Sequence, residues 1–396
     1  MKVALVHYWL TSMRGGEKVL EAFCELYPDA DIFTLVADSD KLSPTLKKHK
    51  ITTSFLQRMG GVKHYQKMLP LMPMALESFD LTPYDLVISS EAGPAKGIVT
   101  RPDAMHVCYC HSPMRYIWDL YPQYYQSAGP ISRLAMKVFF PGLRVWDVTT
   151  SARVDHFIAN SEYVQKRIAR YYRRESTIIN PPVNVTRFAI SDEADDYYLC
   201  CGQITPYKKI EIAIEAFTRN GKRLVVVGAG ASRSLKRAAG PNIKFVGSVD
   251  DAALGGYLSR CRALVFPGVE DFGIVPLEAM ASGRPVIAFA RGGALETVKD
   301  GKTGILFHEQ TTESLMAAVE RMELTHHEFS PQALRDWAMG FERSVFVSKL
   351  RTFMARLLAG EGAAPRLAYK ESRAPLVRAD NTPATPVNRI QRGSAS

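Results

Sequence analysis

Long apolar runs are missing from this sequence, and no stretch approaches the ~18 consecutive apolar residues that a membrane span needs. The first apolar stretch, Val3 to Val6, turns polar at His7. It is too short for a signal-peptide core and has no small-residue cleavage site after it, so the expectation is a buried first strand in a cytoplasmic protein. Cysteine is sparse: six residues in 396, with Cys108-x-Cys110 and Cys200-Cys201 in apolar stretches and no CxxC spacing. That excludes a disulfide framework and a zinc ribbon, and leaves buried reduced thiols. Repeats at solenoid periods, zinc fingers and basic-aromatic RNA motifs are also absent. Asp195-Asp196 and Asp250-Asp251 precede strands or helices and do not form a metal motif in a site context, so no metal is expected.

What remains is an ordinary globular composition, 46% hydrophobic and 23% charged, which excludes a largely disordered chain. Fifty Lys and Arg against 40 Asp and Glu give a net charge of +10. The excess favours anionic partners: nucleotides, phospholipid head groups or nucleic acid.

Short apolar runs alternate with helical patterns. In the first half Val3–Val6, Leu86–Ser89, His106–Cys110 and Phe157–Ala159 read as buried strands. In the second, Tyr198–Cys201, Arg223–Val227, Ile243–Val246, Ala263–Phe266, Val286–Phe289 and Gly304–Phe307 do so. Helix-like segments such as Lys18–Leu26, Ile210–Thr218 and Ile274–Ser282 separate them. This alternation predicts βαβ units and parallel sheets with helices on both faces, and there are too many strands for one small sheet. Asn180-Pro181-Pro182-Val183-Asn184 can continue neither a helix nor a central strand and reads as a hinge. The expected α/β organisation is two doubly wound domains, 1–180 and 181–341, a last helix over 342–359 and a disordered, mildly basic tail over 360–396.

The richest stretch runs from Phe266 to Met280: strand, loop, helix. Gly273 lets backbone N–H groups approach a ligand, and the helix after it aims its positive end, roughly half a charge, at the same place. That is a phosphate cradle. Glu270 lies in the loop, and Glu278 lies among the apolar Leu277, Ala279 and Met280, where a carboxylate needs a partner. One can serve sugar hydroxyls, the other a ribose.

Glu270-x7-Glu278 followed by Ala279-Met280-Ala281-Ser282-Gly283-Arg284-Pro285-Val286 closely resembles the signature of the retaining nucleotide-sugar glycosyltransferases of family 4. Gly202-Gln203-Ile204-Thr205-Pro206-Tyr207-Lys208-Lys209, Val225–Gly230 and Gly292-Gly293-Ala294-Leu295-Glu296 are similar to further segments of that family. The resemblance covers residues 1 to about 355. It implies a GT-B fold, two Rossmann-like domains facing each other across a cleft, with the donor held mainly by the second. Lys208 would then pair with the diphosphate, Glu270 with the sugar and Glu278 with the ribose. Gln203, Lys209, Asp271, Phe272, Gly273 and Ile274 complete the donor contacts. Relatives often carry Arg where Gln203 stands; Lys209 or Arg14 can supply that charge, or Gln203 can donate a neutral hydrogen bond. Gly15 and Gly16, between the first strand and its helix, would approach the phosphate and the transferring sugar. His111 would sit beside the reacting sugar, with Arg115 and Asp119 weaker candidates nearby. The resemblance also implies that the leaving phosphate oxygen takes the acceptor proton, with no separate base and no cofactor.

Pro206–Lys209 and Ala288–Thr297 look most like the bacterial mannosyltransferases of O-antigen and exopolysaccharide assembly, which implies GDP-mannose as donor and a glycan or lipid-linked glycan as acceptor. A UDP-sugar donor is the alternative. An NAD-dependent oxidoreductase is a more distant one, because Gly228-Ala229-Gly230 begins a GxGxxG pattern that breaks at Arg233. A glycoside hydrolase fits less well, since the two glutamates share one loop-helix unit instead of flanking a bond. Tyr116, Trp118, Tyr121, Tyr124 and Tyr125 can stack on acceptor sugars or pack internally. Residues 131–175 carry nine Lys/Arg against four acids, with an apolar set over Ile131–Trp146. This segment reads either as a solvated helix face or as a contact with the cytoplasmic membrane surface. Nucleic acid is not an expected partner.

Overall fold

A computed structural model describes residues 1–191 and 193–360. Residues Met1–Thr352 form one compact unit, and the contacts and sites described below lie within it. The expected tail over 360–396 lies, beyond Gly360, outside the described residues.

Thirteen strands form two sheets among the described residues, and every pairing is parallel. The first holds β1 (Val3–His7), β2 (Asp31–Thr34), β3 (Ile51–Thr53), β4 (Leu86–Glu91), β5 (Met105–Cys110), β6 (His156–Ala159) and β7 (Ser176–Ile178) in the order β3-β2-β1-β4-β5-β6-β7. The second holds β8 (Tyr198–Cys201), β9 (Leu224–Val227), β10 (Ile243–Gly247), β11 (Leu264–Phe266), β12 (Val286–Phe289) and β13 (Gly304–Phe307) in the order β10-β9-β8-β11-β12-β13. The central strands are continuous buried apolar runs, because helices cover both faces. Each sheet has its own apolar core. In each the strand order reverses once, between β1 and β4 and between β8 and β11. Loops that leave the carboxyl ends of strands at such a reversal diverge and open a crevice. The loops after β1, β8 and β11 carry most of the candidate residues.

All ten expected strands are present. The three not foreseen, β2, β3 and β7, are four, three and three residues long. β3 and β7 are edge strands with no fully buried residue. The helix expected over Lys18–Leu26 begins three residues earlier, as Gly15–Leu26, because the Glu17 carboxylate accepts the Arg14 backbone N–H at 2.9 Å and caps the turn that holds both glycines. The last helix runs Arg343–Leu358. The Pro181-Pro182 segment is one of two passages between the sheets. It lies beside the returning chain, with Val183 N–H donating to Phe341 O at 2.9 Å and Val185 N–H to the Glu342 carboxylate at 2.7 Å.

One polar cluster lies inside the first half. Lys96 is fully buried; its ammonium contacts the Asp147 carboxylate and lies 3.4 Å from Glu91 Oε1. Trp118 Nε1 and the Tyr172 hydroxyl donate to Asp147 at 2.7 and 3.1 Å. The cluster ties the helix Pro130–Thr150 to β4, to the loop after β5 and to the helix Glu162–Tyr172. Removing one member of a buried ion set costs about 3–5 kcal/mol, since it strands an uncompensated charge. All six cysteines are free and buried.

Candidate functional site

On the second sheet's side, β8 ends at Gly202, whose φ of +114° is open to glycine. A methyl group there would lie 2.7 Å from Lys208 Nζ, so the missing side chain leaves room for that ammonium. Lys208 Nζ lies 2.9 Å from Glu270 Oε1, in the loop after β11. Burial lowers the Lys208 pKa, but the Glu270 carboxylate outweighs burial and raises it, so the ammonium stays charged. Gly273 caps the N-terminus of the helix Ile274–Ala281, which thus starts beside the Lys208–Glu270 pair. Glu278 lies one turn along it, largely buried. Burial raises its pKa and Arg187, 3.4 Å away, partly offsets this. Arg187 also contacts Asp251. Phe272 is buried against Phe341, so it offers a ligand only its backbone. Lys209 takes a left-handed backbone conformation and turns its ammonium to Glu211, 3.4 Å away.

On the first sheet's side, Gly15 and Gly16 open the helix Gly15–Leu26. A methyl group on Gly15 would lie 2.9 Å from Ile274 Cδ1, on the opposite half of the molecule; one on Gly16 would lie 2.7 Å from the Tyr8 hydroxyl and 3.7 Å from His111 Nε2. His111 therefore sits under the glycine turn. Its Nε2 is 2.9 Å from Ser90 Oγ, and burial pushes its pKa down to about 3, which keeps the ring neutral near pH 7. His7, at the end of β1, is fully buried with no hydrogen-bond partner on either ring nitrogen, and its pKa is lowered by burial and by His111. Sequence reasoning did not single it out.

Between these two groups runs a seam of charge. Asp271 receives Arg115 Nε at 3.2 Å and Arg167 Nη1 at 2.9 Å; Arg167 Nη2 reaches Asp119 at 2.6 Å. The Ser161 hydroxyl donates to the Asp271 carbonyl at 2.6 Å. The Glu296 carboxylate accepts from the Glu162 N–H at 2.9 Å, at the start of the helix Glu162–Tyr172. Arg115 and Asp119 thus belong to the seam, and the Asp271 side chain is engaged by two guanidiniums. Arg167 was missed, yet it left a signal. Together with the buried Val164 and Ile168 it lies on the helix's inner face, an arginine at an apolar position. Within 131–175 the basic residues are not all free to meet solvent or a membrane surface. Arg144, Arg153, Arg167 and Arg174 bond to their own chain.

A cavity of about 500 Å³ opens beside these groups, lined by Arg14, Gly15, Asn184, Arg187, Ile274 and Glu278 among others. Arg14, on its wall, donates from Nη1 to Gln203 Oε1 of the second half at 3.1 Å. A second cavity of about 500 Å³ lies within the first half and is apolar, with Trp9, Leu69, Met72, Tyr116, Tyr124 and Phe140 in its wall. Tyr116 and Tyr124 therefore face a space that a ligand can enter. Trp118 instead stacks on Tyr171 at 4.7 Å and is internal packing, and Tyr121 and Tyr125 pack on each other at 5.7 Å. Gly228 and Gly230 serve close approach of chain to chain: a methyl group on either would strike the backbone of Gly202 or Ile204. Among the described residues no cluster of three or more His, Cys, Asp or Glu is placed to hold a metal ion, and no helix is long and apolar enough to cross a membrane.

Comparison with known proteins agrees with this geometry. Residues 13–187 match the family described as Glycosyltransferase Family 4, and residues 186–333 the family described as Glycosyl transferases group 1. The chain is 24% identical to the alpha-1,3/1,6-mannosyltransferase ALG2 of Saccharomyces cerevisiae over 354 residues, 74% of this chain and 68% of that protein. It is 35% identical to a GDP-mannose-dependent alpha-mannosyltransferase of Mycolicibacterium smegmatis over 123 residues, 31% of this chain and 33% of that one. The chain spans from 33% to 68% of the length of these two relatives. In three dimensions it resembles sucrose-phosphate synthase from Thermosynechococcus elongatus, with a TM-score of 0.67 at 18% identity over 91% of this chain and all of the other. The two family matches meet at residues 186–187 and together span well over half of the sequence. With the paired parallel sheets, they establish that the chain belongs to the family 4 glycosyltransferases and has the GT-B fold.

Proposed function

We propose that the chain is a retaining glycosyltransferase that moves mannose from GDP-mannose to a hydroxyl of a glycan or lipid-linked glycan in cell-surface polysaccharide synthesis. The observation that carries the reading is the meeting, in one cleft, of the Lys208–Glu270 pair and the Gly273 helix start with Gly15, Gly16 and His111 from the opposite half. Lys208 and the N–H groups after Gly273 stabilise negative charge on the leaving diphosphate, in a site fixed before the reaction begins. Glu270 accepts hydrogen bonds from the sugar hydroxyls and Glu278 from the ribose. Neutral His111 orients the sugar by hydrogen bonding and carries no charge into the transition state. The leaving phosphate oxygen takes the acceptor's proton, and no metal ion takes part. Closure about Pro181-Pro182 excludes water from the reacting centre. Support for mannose and for GDP is the likeness to the two mannosyltransferases named above, together with the sequence segments at 206–209 and 288–297.

The acceptor side is assigned to the apolar cavity of the first half. The outer face of the helix Pro130–Thr150 presents Ile131, Leu134, Val138 and Val145 to solvent, on the side opposite Met136, Phe140 and Leu143. With Lys137 nearby, that face suits an anionic bilayer surface, as a lipid-linked acceptor requires. The test of the central reading is thermal protection by GDP, UDP, ADP, GDP-mannose and NAD. A ligand at a hundred times its Kd adds about 2.7 kcal/mol of apparent stability. Selective protection by GDP and GDP-mannose is the expected result. Protection by UDP alone would keep the reaction class and discard mannose, and protection by NAD alone would discard the class.

A further inference from the structure

We infer that Arg14, from the first half of the molecule, supplies a diphosphate-binding cation at Gln203 of the second half. The inference rests on the donor reading above and names a residue and a geometry that the reading leaves open. Four cations line the cavity beside the Gly273 helix: Arg14, Lys18, Arg187 and Arg343. Lys18 is paired with Glu21 at 3.0 Å, Arg187 with Asp251 and Glu278, and Arg343 with Glu25 at 2.7 Å. Arg14 is the member of this set with no carboxylate within 4 Å of its guanidinium among the described residues; its side-chain partner is the neutral Gln203 amide oxygen at 3.1 Å. The nearest acid in sequence, Glu17, is occupied by the Arg14 backbone N–H. Lys209, the other residue able to fill the gap, faces Glu211. A guanidinium that is open to solvent, hydrogen-bonded to a neutral amide of the opposite half, and without a carboxylate within 4 Å is placed to take an anion by two parallel N–H bonds.

The test is a double-substitution cycle read by calorimetric binding of GDP, UDP and GMP. Arg14→Gln is expected to weaken the nucleoside diphosphate that binds the wild type by roughly ten- to a hundredfold, the range for one charged hydrogen-bonding partner. GMP, which lacks the β-phosphate, should weaken by less than about threefold. Adding Gln203→Arg to Arg14→Gln should restore diphosphate affinity to within about threefold of wild type, since it returns the charge to the other side of the cleft. Arg14 is exposed, and unchanged thermal unfolding of the free variants checks that they fold. Unchanged diphosphate affinity in Arg14→Gln overturns the inference, as does equal loss for GMP or failure of Gln203→Arg to restore binding. If the wild type binds no nucleoside diphosphate while Lys208→Ala is equally inert, the donor reading itself falls, and the inference with it.

Discussion

Replacing Lys208 separates the role proposed for it, a phosphate ligand, from the one the geometry shows, a counter-ion of Glu270. The ammonium is enclosed, held at 2.9 Å by Glu270, and kept charged by that carboxylate. As a phosphate ligand it contributes about 1.5–3 kcal/mol to the charged leaving group, so Lys208→Ala should lower kcat/KM by roughly ten- to 150-fold. As a mere counter-ion for Glu270 it would act differently. Its loss would strand a carboxylate that is still partly open to water, at a cost below the 3–5 kcal/mol of a fully buried pair and nearer about 1–2 kcal/mol. Glu270→Gln in the same chain would then undo the damage by removing the stranded charge. The assay is the release of GDP from GDP-mannose by Lys208→Ala and by Lys208→Ala/Glu270→Gln, alongside their thermal unfolding. The expected pattern is recovered stability in the double variant with no recovered turnover. Turnover within about threefold of wild type in Lys208→Ala, or rescued by Glu270→Gln, would refute the assignment.

Three further outcomes are expected. Burial raises the Glu91 pKa to about 7, helped by Asp147 and opposed by Lys96, against 4.5 for a free glutamate. Its contribution to stability is therefore complete below about pH 4.5 and is lost as pH rises through about 7, a span of about 3 kcal/mol. The stability of Glu91→Gln relative to wild type should rise by that amount across the interval, while the opposite effects of His7, His106 and His111, all with lowered pKa, cancel in the difference; parallel stability curves would contradict it. Leu134→Glu/Val138→Glu should abolish flotation with vesicles containing phosphatidylglycerol and leave the unfolding temperature unchanged, whereas equal flotation would remove the docking face. Exhaustive chelation with EDTA should leave GDP release within about twofold of its starting rate, and a loss that added Mg²⁺ or Mn²⁺ restores would overturn the metal-free reading.

The sequence was most legible where burial is continuous. Strands such as β4 and β12 carry apolar runs with turn residues at their ends, so their existence follows from pattern alone. β3 and β7 did not announce themselves, because a three-residue edge strand that is only half buried leaves no periodic trace. Of the site, the residues joined in one segment, Glu270 to Glu278, could be read together. The partners drawn from elsewhere could not: Ser161 meets Asp271 from 110 positions away and Arg14 meets Gln203 from 189. Such pairs are set by how two separately formed sheets come to face each other. Arg167 is an intermediate case, visible as an anomaly on a helix face, though its carboxylate partners are not.

The seam around Asp271 has a bearing on how the molecule can be divided. Asp271 follows Glu270 directly, and its side chain is held by Arg115 and Arg167, while Ser161 holds its carbonyl; all three come from the other half. The loop proposed to grip the sugar is therefore shaped by a surface that the second half does not contain. A chimera that joins the half proposed to bind the nucleotide to a relative's first half would inherit Lys208, Glu270 and Glu278 yet lack the mould that sets the loop. Exchange of acceptor specificity by swapping halves should succeed only when Arg115, Ser161 and Arg167 travel with the boundary.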